Sequence, residues 1–407
     1  MRIRPMKYVI AKKASTHGVL AKVMAQTSIA LCLYSGANGC FALSNSAKVP
    51  ILLYHSASEH VANVNPCEYS RNASQALARD LETIHQQGYV VAPVPWIAEW
   101  IAGIRNGSTL PNRVVGITFD DGPDFDWFDS QSRCSYFTTT KSMRRILQEF
   151  KSKYPELFLD FPYAVSFVVG SPKAREVVGS HQYNVDLADD ISISDSWWSE
   201  ANHSRIIEIH NHSTDHDHPS IKQIIWDPAL KLNIAVGGYG DSVWAGQGRF
   251  DRIDSEEESR LEVVNSAQYI YSKTGAWPKL FAYPFGQVSS YLQNVYFPNY
   301  EYEHHTLAAF CVGDQYATRN SSRFCIPRFT HGDDNWNSPN NLTEILIRAI
   351  DPNDSPSTSG NSSYNCTFGP APTWPNPPCS TGTSSASAPA PIKLDILQII
   401  LPTLLEE

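Results

Sequence analysis

Val114-Val115-Gly116-Ile117-Thr118-Phe119 runs straight into Asp120-Asp121-Gly122-Pro123. The six-residue apolar run predicts a buried strand, and Gly-Pro predicts an abrupt stop. Two carboxylates therefore stand at a strand's C-terminal tip, where a core would ordinarily reject them. In β/α folds that tip is where ligands and catalytic groups gather. Taken alone, the pair also fits an acidic turn cap. A second cluster decides between the two.

That cluster reads Glu208-Ile209-His210-Asn211-His212-Ser213-Thr214-Asp215-His216-Asp217-His218-Pro219, after a strand-like Arg205-Ile206-Ile207-Glu208-Ile209. His212 and His216 are four apart, and one helical turn would bring both imidazoles to a single metal ion. His210 and His218 are close as well, so spacing alone leaves the pair open, and a solvated His-rich loop is the plain alternative. Two imidazoles with one carboxylate make a three-ligand site with a position left for water.

Strand and helix signals alternate outward from these clusters. Strands are expected at Ile51–Tyr54, Tyr89–Val94, Tyr163–Val169, Ile206–Ile209, Leu280–Tyr283, Leu307–Cys311 and Phe324–Arg328. Helices are expected at Ala76–Gln87, Trp96–Ile104, around Met143–Phe150, at Glu256–Lys273 and at Leu342–Ala349. Such alternation predicts a parallel β/α barrel. Two insertions interrupt it, Phe125–Pro162 and Asn184–Asn202. Their Trp127, Trp197 and Trp198 would either stack on a ligand or pack the insertions to the barrel.

The stretches ITFDDGPD at 117–124 and EIHNHSTDH at 208–216 resemble the first two motifs of the NodB-type polysaccharide deacetylases, carbohydrate esterase family 4. VPILLYHSA at 49–57, ASQALARDLETIHQQGYVVAPV at 73–94 and FAYPFG at 281–286 resemble further segments of its poly-N-acetylglucosamine deacetylase branch. The resemblance spans about Val49 to Ala349. It implies an α/β fold, an irregular, distorted TIM-like barrel with fewer than eight strands, over residues 48–350.

The resemblance also implies roles. Asp120 would be the general base. Asp121, His212 and His216 would hold a divalent metal, with Zn2+ expected and cobalt, nickel or iron also compatible with that donor set. The Phe285 backbone N–H would hold the oxyanion. The substrate would be an N-acetylated polysaccharide that loses acetate. His331 would be the general acid, with His55 its competitor or a substrate contact. Tyr283 and Pro284 would line the site. His210 stands where the family usually has Gly, and is expected behind the ligands. The family's third-motif Arg is missing from Lys279-Leu280-Phe281-Ala282-Tyr283-Pro284; Arg328 could supply that charge or merely sit on the rim.

The chain has 407 residues, 42% of them hydrophobic, and a net charge of −9, which suits a globular enzyme and argues against a nucleic-acid partner. Residues 1–42 read as an export signal: a basic stretch, the apolar run Val23–Tyr34, then small residues. That run is too short for an integral span. A secreted, periplasmic or cell-envelope location is expected. Cys67, Cys134, Cys311, Cys325, Cys366 and Cys379 would then form disulfides, of open connectivity. Residues 351–391 read as a Ser/Pro/Thr-rich linker, and 392–407 as a short apolar segment. Two other functions compete: an amidohydrolase or O-acetyl esterase on another acylated substrate, and a non-catalytic glycan binder. The export signal disfavours the first, and the full set of site residues the second.

Overall fold

The computed structural model describes residues 42–55, 67–131, 139–178, 192–216, 222–227, 232–237 and 250–350. The expected export signal, apart from its last residue, and the two C-terminal segments lie outside these. Eight short strands build one sheet: β1 (Ile51–Tyr54), β2 (Val90–Val91), β3 (Val114–Phe119), β4 (Ala164–Val168), β5 (Ile207–Asn211), β6 (Leu280–Ala282), β7 (Ala308–Phe310) and β8 (Phe329–Thr330). They pair in the order β7-β6-β5-β4-β3-β1-β8, all parallel, with β2 also on β3.

One segment touches both edges of this sheet. Ile326 bridges Phe310 beyond β7, and Phe329 pairs with Leu52 of β1. The sheet therefore curls into an irregular barrel, as expected, but with eight strands where the resemblance implied fewer. The strand anticipated at Phe324–Arg328 is reduced to that single bridge, because this segment crosses between edges rather than lying along one. A Cys311–Cys325 disulfide ties the same segment to the end of β7.

Both faces of the sheet are buried, which is why its strands read as continuous apolar runs. Inside the barrel, Ile51, Val165, Phe167, Leu280, Ala282, Ala308 and Phe310 form one core. Outside, Leu52, Ile117 and Phe119 pack under the helices. Helix α1 (Ala73–Gln86) turns Leu77, Asp80, Leu81 and Ile84 inward. Each buried Leu or Ile contributes roughly 1.5–3 kcal/mol. The helix starts earlier than expected because Asn72 caps it, accepting from Gln75 N–H at 2.9 Å. Helix α2 (Val94–Ile101) starts at the prolines and cuts β2 short. Helices α3 (Met143–Lys153) and α4 (Pro172–Val178) follow β3 and β4, and α5 (Trp198–Ser204) precedes β5.

The expected long helix is present from Glu256 to Thr274, but it is not uniform. Arg260–Val264 forms a wide π turn before α6 (Asn265–Thr274). Helix α7 (Pro339–Ile350) ends the described chain. Among the described residues no helix is long and apolar enough to cross a membrane.

Candidate active site

Strand β3 ends at Phe119, so Asp120 and Asp121 lie just past the pleat. A continued pleat would send the two carboxylates to opposite faces. Instead Asp121 adopts φ 73°, in the left-handed region, and turns back over the barrel mouth. Both carboxylates now face one imidazole: His212 Nε2 is 3.4 Å from Asp121 Oδ1 and 3.9 Å from Asp120 Oδ2. His216 Nε2 lies 3.0 Å from the same Asp121 oxygen. The donor atoms of Asp121, His212 and His216 all fall within 4.8 Å of one another, and all three residues are buried.

The two histidines do not share a helical turn, contrary to the spacing argument. They sit on a tight loop after β5, in which Ser213 (φ 77°) and His216 (φ 60°) are left-handed. Local hydrogen bonds over-determine this geometry. Asn211 Oδ1 accepts from Ser213 N–H at 2.9 Å, and Ser213 Oγ accepts from His216 N–H at 2.9 Å. The π turn supplies the outer anchor: Val263 C=O accepts from Asn211 Nδ2, Leu261 C=O from Thr214 Oγ1, and the Glu262 carboxylate from Thr214 N–H. A π turn frees helical carbonyls for such partners.

This donor set suits a divalent cation. His212 Nδ1 lies 3.0 Å from the Ala282 carbonyl, which requires its proton there and leaves the Nε2 lone pair facing Asp121. Burial would raise the Asp121 carboxyl, but the neighbouring imidazoles, His216 first and then His212, hold it well below the usual range. An ionised carboxylate with two Nε2 atoms is a common three-ligand set.

Asp120 has a different partner. Arg328, fully buried, grips it with two hydrogen bonds, 2.7 Å to Oδ1 and 2.8 Å to Oδ2. The guanidinium also donates to Thr118 Oγ1 and to the Cys311 carbonyl. Burial pushes the Asp120 carboxyl up; Arg328, then His212, outweigh it and keep the group ionised. Of the two placements open to Arg328, the structure selects the one beside Asp120.

Other candidates fall into place around this centre. Phe285 has φ 54°, and its half-exposed ring tilts against His216 at 4.7 Å. His55 is exposed just past the end of β1, among the groups that act electrostatically on Asp120 and Asp121.

The remaining residues named from the sequence have the following surroundings. His331 makes no described hydrogen bond, ion pair or ring contact with Asp120 or the triad. It lies in an aromatic box of Tyr54, Tyr69 and Trp336, and burial pushes its imidazole down to about 3. His210 is inside the barrel beside Phe167, with neither ring nitrogen hydrogen-bonded, so it packs below the site rather than backing a ligand. Tyr283 is wholly buried, and its hydroxyl donates to the Phe324 carbonyl at 3.0 Å. Pro284 is buried too and opens the turn that presents Phe285. Trp127 and Trp197 stack on each other at 5.9 Å, almost fully buried, and thus pack the insertions.

Sequence reasoning missed the supports: Asn211, Ser213, Thr214, Glu262 and the Ala282 carbonyl. The first three stand in the motif itself, and their hydrogen-bonding side chains were a usable signal. A backbone carbonyl from another strand gives none.

No curated protein matches the chain. Among solved structures it is similar to the Streptococcus pyogenes deacetylase PplD in complex with acetate, at 14% identity and TM-score 0.46, covering 75% of this chain and 100% of that one. It is similar also to a de-N-acetylase from Aggregatibacter actinomycetemcomitans, at 16% identity and TM-score 0.44, covering 72% and 99%. A third is IcaB from Ammonifex degensii, at 15% identity and TM-score 0.43, covering 76% and 99%. The family model for polysaccharide deacetylase matches residues 107–297, a stretch that holds Asp120, Asp121, His212, His216 and Phe285 but ends before Arg328 and His331. That match covers less than half of the chain; within it lie both motif clusters, so residues 107–297 are similar to a polysaccharide deacetylase domain.

Proposed function

We propose that this protein is a metal-dependent hydrolase that removes N-acetyl groups from a polysaccharide, with Zn2+ as the cation, in a secreted, periplasmic or cell-envelope setting. The observation that carries this reading is the Asp121–His212–His216 donor set directly beside an Arg-paired Asp120. When bound, the cation would polarise the acetamide carbonyl and acidify water. Asp120, held ionised by Arg328, takes a proton from the attacking water. The Phe285 N–H, presented on a left-handed turn, donates to the developing oxyanion. The C–N bond then breaks, acetate leaves, and the nitrogen takes a proton to become a free amine.

Placement favours His55 over His331 as donor of that last proton. His331 is neutral near pH 7 and boxed in, whereas His55 is exposed and electrostatically coupled to Asp120 and Asp121. The test is acetate release from poly-β-1,6-N-acetylglucosamine, chitin, peptidoglycan and acetylated xylan, with and without Zn2+. Release from an N-acetylated polymer, abolished by chelation and restored by Zn2+, supports the reading. Release from the xylan ester alone would favour the O-acetyl esterase alternative.

A further inference from the structure

Asp80 lies on α1, on the outer side of the sheet, with no exposed surface. Its carboxylate accepts from two phenols: Tyr54 at 2.9 Å and Tyr69 at 2.6 Å. The Tyr69 hydroxyl accepts in turn from Trp336 Nε1 at 2.9 Å. A buried carboxylate is costly, and a helix packing on a sheet has no need of one. The network it organises, however, runs out along two routes, one of which reaches the site.

The first route is along β1. Tyr54 is its last residue, the Tyr54 carbonyl accepts from Asp120 N–H at 3.3 Å, and the next residue is His55. The second runs through ring packing. Tyr54, Tyr69 and Trp336 surround His331 with centroids 5.4, 5.0 and 5.3 Å away. His331 hydrogen-bonds to the Tyr69 backbone, and its Nε2 has no hydrogen-bond partner. Clamping both phenols fixes all three rings and the tip of β1 together.

We propose that Asp80 is a positioning residue for the proposed deacetylation, acting through Tyr54 and Tyr69 to fix the β1 tip, with Asp120 and His55, and the orientation of His331. This rests on the deacetylase reading for its kinetic arm only. Asp80→Asn replaces one acceptor oxygen with an N–H donor, so one phenol must turn its hydrogen away and accept instead, and its charge-assisted bond to a carboxylate is lost.

The test combines kinetics with nitrogen-15 NMR of the histidine rings in the Zn2+-loaded protein. Asp80→Asn should lower kcat/KM about tenfold through kcat, with KM within twofold and zinc content unchanged. Tyr54→Phe should cost nearly as much, and the double variant no more than Asp80→Asn alone, since both break one linkage. His331 should give one tautomer in the parent protein and a mixture in Asp80→Asn. Should Asp80→Asn not fold, Tyr54→Phe combined with Tyr69→Phe keeps both rings and must shift the His331 signals in the same way. Unchanged His331 signals in a folded variant, or fully additive kinetic losses, would overturn the proposal. If the parent protein deacetylates no glycan, the deacetylase reading fails, while the ring spectra still decide whether Asp80 sets His331.

Discussion

Arg328 and Asp120 form a two-pronged pair at 2.7 and 2.8 Å, sealed inside the barrel and 208 residues apart in sequence. A planar fork meeting a carboxylate fixes orientation as well as charge, which Lys cannot reproduce. Arg328→Lys should therefore cost about tenfold in kcat with a modest loss of stability. Arg328→Met leaves a buried charge unpaired and should destabilise by roughly 3–5 kcal/mol. Its pH profile carries a sign. In the proposed mechanism Asp120 works ionised, and with Arg328 gone burial would raise its carboxyl unopposed by that charge. The acid limb of kcat/KM should move to higher pH; an unmoved limb would mean that Arg328 does not tune the base.

Gly122 tests the strained turn that aims Asp121. Its φ is +71°, and an added Cβ would lie 2.5 Å from Val168 Cγ1. Gly122→Ala should destabilise by about 2–4 kcal/mol from overpacking and backbone strain together. It should also weaken zinc binding at a folded temperature, because the preceding residue is one of the three proposed ligands. Thermal unfolding and zinc titration check both parts.

The strands and the two motif clusters were legible because both rest on local pattern: buried parallel strands are apolar runs, and chemistry sits at their ends. Arg328 was legible only as one of two placements, since nothing local to it says which side of the barrel it faces. The surroundings of His331 were not legible, because lying just past a strand end does not fix side-chain direction; its ring lies among Tyr54, Tyr69 and Trp336. The left-handed φ of Asp121, Ser213, His216 and Phe285 had no reliable signal in residue type. Tertiary hydrogen bonds impose those angles, and such bonds are invisible in a linear pattern.

Acid should destabilise the fold through two buried imidazoles. His304 Nδ1 accepts from Thr306 N–H at 2.8 Å, and its Nε2 lies 3.2 Å from the Phe297 carbonyl, a pairing that satisfies only the neutral ring. Burial pushes His304 down to about 4 and His331 to about 3. A depressed folded value means the unfolded chain binds the proton first. The contribution is fully present above about 6.5 and is lost as pH falls toward 4. For His304 alone the loss by pH 5 is of order 2 kcal/mol. Urea unfolding at pH 7.5 and pH 5 should show a smaller drop in His304→Gln than in the parent chain.

The most direct measurement compares acetate release by the zinc-loaded protein and its Asp120→Asn variant on an N-acetylated glucosamine polymer, with zinc content measured on both. Asp120 is assigned the proton and Asp121 the metal, so the variant should keep its zinc and lose roughly a hundredfold or more in kcat. Equal rates in the two proteins, or full activity after the zinc is stripped, would contradict the account.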